Sequence, residues 1–116
     1  MFALRGVLRA ESQEKILLYL LARGKGYGKG IADFFDSPPN PIQKQLVRLE
    51  DEGVVVSRSL GKMREYQLNP RYAFNSQLKE LLKAALKAYP EEIRAALMME
   101  RRRPRKAGKA INPERK

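Results

Sequence analysis

One glycine constrains this chain more than any other residue. Gly53 separates "NPIQKQLVRLEDE" from "VVVSRSLGKMREYQLNP", so a run of helical periodicity passes into a run of strand composition with no linker between. Ile42, Leu46 and Leu49 recur at the spacing of one helix face. Asn40 is expected as N-cap, with Pro41 at the first helical position and Gln43 closing a capping box. The expected helix spans 40–52, and Gly53 stops it where a left-handed residue costs least. Beyond it, "VVVSR" and "MREYQL" flank Ser59–Lys62 and predict a hairpin over 54–68. Val54 and Val56 are expected to point inward on its first strand, Tyr66 and Leu68 on its second, and Asn69-Pro70 to close it.

The helix carries an electrostatic oddity. Glu50, Asp51 and Glu52 crowd its C-terminal end in a chain of net charge +11, although a helix C-terminus prefers cations. The excess positive charge is unevenly spread. Residues 101–116 hold eight Lys/Arg against one Glu, and residues 1–100 hold sixteen basic against twelve acidic. This balance favours a polyanionic partner such as nucleic acid. Cys and His are absent, which removes disulfides, thiolate and imidazole metal sites and the commonest general base. No cofactor is expected, and an enzyme is not expected. The longest apolar run, Ile16–Ala22, is far shorter than the ~20 residues a membrane span needs, so a cytoplasmic protein without membrane contact is expected.

Elsewhere, Met1–Glu11 reads as a short helix or an arm. Ser12 is the expected N-cap of a helix over 13–23, with Ile16, Leu17, Leu20 and Leu21 on its apolar face. "GKGYGKG", Gly24–Gly30, reads as a turn between helices, because the spacing of a phosphate-binding loop is absent. A short helix is expected over 29–35, buried through Ile31, Phe34 and Phe35, before Pro38 and Pro39 break the chain. An amphipathic helix over 75–89 shows Leu78, Leu81, Leu82, Ala85 and Leu86 on one side, and Pro90 opens another with Glu91 and Glu92 in its first turn. The chain divides into a first unit over 1–72, C-terminal helices over 73–103 and a disordered basic tail over 104–116.

The fold class expected is mainly α with a small β-hairpin: helix, short helix, turn, capped helix, hairpin, then further helices. That order is the order of a winged helix-turn-helix, in which the capped helix enters the major groove and the hairpin lies along the backbone. The run "IQKQLVRLEDEGVVVSRSLGKMREYQLNP" resembles the matching run of bacterial winged-helix regulators of the ArsR and MarR type. Residues 4–71 are also similar to winged-helix domains joined elsewhere to nucleotidyltransferase modules, whose own catalytic elements have no match here.

On that expectation the acids mark the helix end turned away from phosphates. Asn40, Gln43, Lys44, Val47 and Arg48 then face base edges, since Asn and Gln pair with adenine, Lys and Arg with guanine, and Val with a thymine methyl. Arg58, Lys62 and Arg64 decorate the hairpin, with Glu65 expected to weaken Arg64. Lys25 and Lys29 are expected at the backbone, while Tyr27 either packs or donates to a phosphate. Solvated surface is the bland alternative for each. The resemblance implies a two-fold homodimer made by the helices after residue 73; the other reading has those helices only covering the core. Double-stranded DNA is the expected partner and transcriptional repression the expected function. The alternatives are a protein-binding adaptor of the antitoxin kind and, for exposed aromatics, an RNA-binding domain.

Overall fold

The computed structural model describes residues 1–100. The rest of the helix expected to reach 103, and the basic tail, lie outside the described residues. Among the described residues five helices and one small antiparallel sheet follow in the order α1 (Glu11–Arg23), β1 (Gly26–Tyr27), α2 (Gly28–Phe34), α3 (Pro39–Asp51), β2 (Val55–Leu60), β3 (Met63–Leu68), α4 (Asn75–Leu86) and α5 (Glu91–Glu100). The sheet order is β1-β3-β2. The expected hairpin is present, but it is joined by a third strand. Gly26 and Tyr27 pair with Tyr66 and Glu65, so the glycine-rich segment is more than a turn.

α1 is buried on nearly every side. Ile16, Leu17, Leu18, Tyr19, Leu20 and Ala22 all lie in the core, while Leu21, expected on the apolar face, is only half-buried. The one-stripe reading fails because α1 is surrounded by α3, α4, α5 and the sheet, and a surrounded helix is apolar all round. Leu82 of α4 and Leu97 of α5 belong to this same core cluster. α1 opens at Glu11 after Ala10, without the side-chain cap expected of Ser12.

Glu14 is fully buried in α1. It accepts hydrogen bonds from the N–H groups of Ala3, at 2.8 Å, and Leu4, at 2.6 Å, and from the Tyr89 hydroxyl. One carboxylate therefore ties down the N-terminal segment, which is an arm rather than a helix, and the turn after α4. Burial and the Glu14 carboxylate raise the Tyr89 phenol far above its ordinary range. At the other end of α1, the Arg23 guanidinium donates to the carbonyls of Leu97 and Ala96, both at 3.1 Å, and to the Tyr19 hydroxyl at 2.9 Å. It thereby holds α5 onto α1 and places a cation in the last turn of α1, where helix carbonyls favour one.

The start of α3 differs from expectation and its end agrees. The helix begins at Pro39 after Pro38, with no side-chain cap bond, so neither Asn40 nor Gln43 caps it. Pro39 wins because its fixed φ suits the first helical position, where the missing N–H has no acceptor to lose. At the other end Gly53 takes φ 82°. Val54 N–H then reaches Leu49 C=O at 2.9 Å and Gly53 N–H reaches Glu50 C=O at 3.0 Å, a Schellman closure. Asn69 locks the same corner from the hairpin exit, its Nδ2 donating to Gly53 C=O at 2.9 Å and its N–H to Val54 C=O at 3.0 Å. The valine register is one residue off from expectation: Val55, not Val54 or Val56, is buried. Val55 pairs with Leu68 and Ser57 with Tyr66, and a single-residue shift exchanges the two faces of a strand. α4 ends at Leu86 rather than 89.

Two outcomes test this packing. Leu18→Ala, off the stripe read from sequence, should cost about 2–5 kcal/mol in urea unfolding, and Leu21→Ala clearly less. Tyr89→Phe should cost about 1.5–3 kcal/mol near neutral pH. Because the folded phenol holds its proton more tightly than the unfolded one, its contribution is complete below pH ~10 and is lost as pH rises further. The urea midpoint should therefore fall more steeply above that pH in the wild type than in Tyr89→Phe.

Candidate nucleic-acid interface

α3 lies with Ile42, Leu46 and Leu49 in the core beside Gln45, whose Oε1 accepts from the buried Gln13 Nε2 at 3.1 Å. The opposite side is solvent-facing. Asn40, Lys44, Val47 and Asp51 follow one another at helical spacing, all exposed, and Arg48 beside them is half-buried. Among the described residues no side-chain hydrogen bond or ion pair engages Lys44, Arg48 or Lys62. Val47 is 48 % exposed, a large apolar side chain left on a polar stripe.

Beside this stripe runs a groove of about 350 Å³ between the start of α2, α3 and the hairpin tip. Lys29, Gln43, Lys62, Met63, Arg64 and the tyrosines 27 and 66 line it. Three of these are cations and none is an acid. Lys29 is partly occupied by Asp33, 3.1 Å away, but both side chains are well exposed and such a pair is weak. Arg64 is held in place by the hairpin itself. Its Nη1 donates to Ser57 Oγ at 3.0 Å and its Nη2 to Ser59 Oγ at 3.2 Å. Gln43 is exposed, with its side chain over Gly28 at the edge of the groove. Burial and the Glu50 carboxylate raise the Tyr66 phenol, against the opposing charge of Arg64.

Glu50, Glu52 and Glu65 are drawn away from this surface. The Ser57 hydroxyl donates to Glu50 Oε2 at 2.6 Å, which neutralises part of the unfavourable position of an acid at a helix C-terminus. Glu52 pairs with Arg9 at 3.6 Å. Glu65, expected to weaken Arg64, points to the opposite sheet face, because neighbours in a strand alternate sides. There it accepts from Arg58 Nε at 2.9 Å and lies 3.9 Å from Lys25 Nζ. Arg58 and Lys25 are thus removed from the groove that gathers Lys29, Lys62 and Arg64. Asp51 alone of the three acids stays exposed on the stripe without a side-chain hydrogen bond or ion pair.

Sequence reading missed four contributors: Ser57 and Ser59, which orient Arg64, and Met63 and Tyr66 in the groove wall. The alternation of "SRS" against "REY" across the turn carries the signal for the serines. It also missed Phe74, the most exposed aromatic side chain, at 62 %. Phe34 and Phe35, expected in the core, are half-buried and stack edge-on at 4.8 Å. Among the described residues no cluster of His, Cys, Asp or Glu fit to hold a metal occurs, and no helix is long and apolar enough to cross a membrane.

Two glycines of "GKGYGKG", Gly26 and Gly28, serve close approach. A Cβ on Gly26 would sit 2.6 Å from the Tyr19 ring, and one on Gly28 would sit 2.7 Å from Gln43 Oε1 and 3.3 Å from Leu46. Gly26→Ala should cost about 1–3 kcal/mol in thermal or urea unfolding, as overpacking does, because the ring is rigid. Gly28→Ala should cost less, since the Gln43 amide can swing away.

No family model, curated protein or solved structure matches the chain.

Proposed function

We propose that the chain is a winged helix-turn-helix protein that binds double-stranded DNA and regulates transcription, as a repressor, rather than an enzyme. The reading helix is α3 and the wing is the β2–β3 hairpin. The element order and the sheet order β1-β3-β2 support this reading. The observation that carries it is the pairing of an exposed Asn40–Lys44–Val47 stripe with an adjoining groove lined by three cations and no acid. Lys44, Asn40 and Val47 read base edges, with Arg48 beside them, while Lys29, Lys62 and Arg64 bind phosphates. Gln43, exposed where the stripe meets the groove, reads a base edge from the groove side. Arg58 contributes charge from the far sheet face only.

The protein acts as a two-fold homodimer through α4 and α5, a reading supported by the large apolar side chains that these helices and their approach leave in solvent: Phe74, Leu81 and Met98. Two reading helices then fall about one DNA turn apart, ~34 Å, on an inverted repeat. The exposed Phe74 also suits a protein-binding adaptor, the alternative reading. Selection from a random duplex pool at near-physiological salt separates the two: an enriched inverted repeat is expected, and salt-labile binding with no enriched site speaks for the adaptor.

On the enriched site, Lys44→Ala should cost about 1–3 kcal/mol and relax preference at one base pair. Lys62→Ala should weaken all sequences alike and reduce the salt slope by about one. Asp51→Asn should tighten binding, because it removes the one exposed acid on the stripe. Leu81→Glu should shift sedimentation toward the monomer and abolish the requirement for two half-sites.

A further inference from the structure

The wing tip carries more than charge. The turn of β2 into β3 uses only Gly61 and Lys62, with Gly61 at φ 63°, the arrangement of a tight two-residue hairpin with glycine first. Leu60 and Met63 are the paired residues on either side of it, in line with Arg58 and Glu65 on the far sheet face, and Met63 also reaches the rim of the α3 groove. They are 40 % and 48 % exposed, two large apolar side chains standing together at the far end of the hairpin. Natural hairpin ends and edges are ordinarily kept polar or charged, because apolar ones invite aggregation. From residue 58 to 64 the chain also carries three cations and no acid.

We infer that the Leu60–Met63 pair is a minor-groove wedge that unstacks a base step and bends the duplex bound by α3. This rests on the DNA-binding reading above. An apolar pair flanked by Lys and Arg matches the chemistry of side chains that enter the minor groove, where the cations meet the phosphates of both strands and the apolar tip opens a step. Continuity with the proposed interface selects DNA over other polyanions: Met63 lines the same groove as Gln43 of α3, Lys62 and Arg64. A tip that only touched phosphates would need Lys62 alone. A flexible pyrimidine–purine step at the wing position is the sequence that yields most cheaply.

The test uses the full chain and a duplex of about 30 base pairs carrying the selected site, with donor and acceptor fluorophores at its two ends. Wild type at saturation should raise energy transfer. Leu60→Ser/Met63→Ser should need more protein, still saturate the duplex and leave transfer at the free-duplex value, and Met63→Thr, which keeps strand propensity, should give an intermediate bend. Lys62→Ala should need more protein and reach the full wild-type bend. Saturated wild type with unchanged transfer, or a double variant that bends like wild type, overturns the wedge and leaves DNA binding standing. Failure of wild type to bind any duplex overturns both. Binding to vesicles of anionic phosphatidylglycerol that depends on Leu60 and Met63, without a duplex bend, reassigns the tip to a lipid surface and overturns the wedge.

Discussion

The corner at Gly53 fixes everything the candidate surface depends on. A helix ends, one residue takes a left-handed conformation, and a strand leaves at once. The Schellman bonds from Val54 and Gly53 set the direction of departure, and the two bonds from Asn69 fasten the returning strand to the same point. With both ends of the hairpin pinned to the end of α3, the side of the helix that faces the hairpin groove is no longer free to vary. A residue with a Cβ at position 53 would strain that corner, and the alignment of stripe and groove would go with it.

Around this corner the carboxylates do structural work inward while the cations are left outward. Glu14 joins the N-terminal arm, α1 and the turn after α4. Glu50 is bound by Ser57, and Glu65 by Arg58 on the far face of the sheet. The electrostatic character of the α3 side is therefore more positive than a count of residues along the sequence suggests. Local fields depend on where each charge points, and charges beyond about 10 Å are screened at ordinary ionic strength. The oddity of three acids ending a helix in a basic chain resolves in the same way: two of the three have partners within the fold, and they sit at the end away from Asn40 and Lys44.

The parts legible in the sequence were those set by local chemistry. Gly53 and Gly61 each mark a left-handed conformation that few residues adopt, Asn69-Pro70 ends the hairpin, and α3 shows a clean helical period. The parts that were not legible depend on partners distant in the chain. β1 is two residues long and has no period; it exists because Tyr66 and Glu65 offer it a ladder. Three successive valines contain no alternation, so nothing local says which faces inward. α1 looked like a helix with one buried side because its enclosure by α3, α4, α5 and the sheet is a property of the whole chain. The start of α3 offered two competing signals, Pro39 and Asn40, and sequence reading chose the weaker. Within the candidate site, Lys44, Val47 and Lys62 were found in solvent as read, whereas Arg58 and Glu65 were placed by sequence adjacency when strand alternation governs them.

The contacts running from Glu50 through Ser57 to Arg64 have a mechanical meaning. They join the last turn of α3 to both strands of the hairpin, so helix and hairpin tilt as one rigid piece. In the proposed complex such a piece has a fixed span between the groove entered by the helix and the groove reached by the tip. Nucleic acid whose grooves lie at another distance must deform or be refused, so part of the selectivity is measured as a length along the duplex and not spelled in its bases.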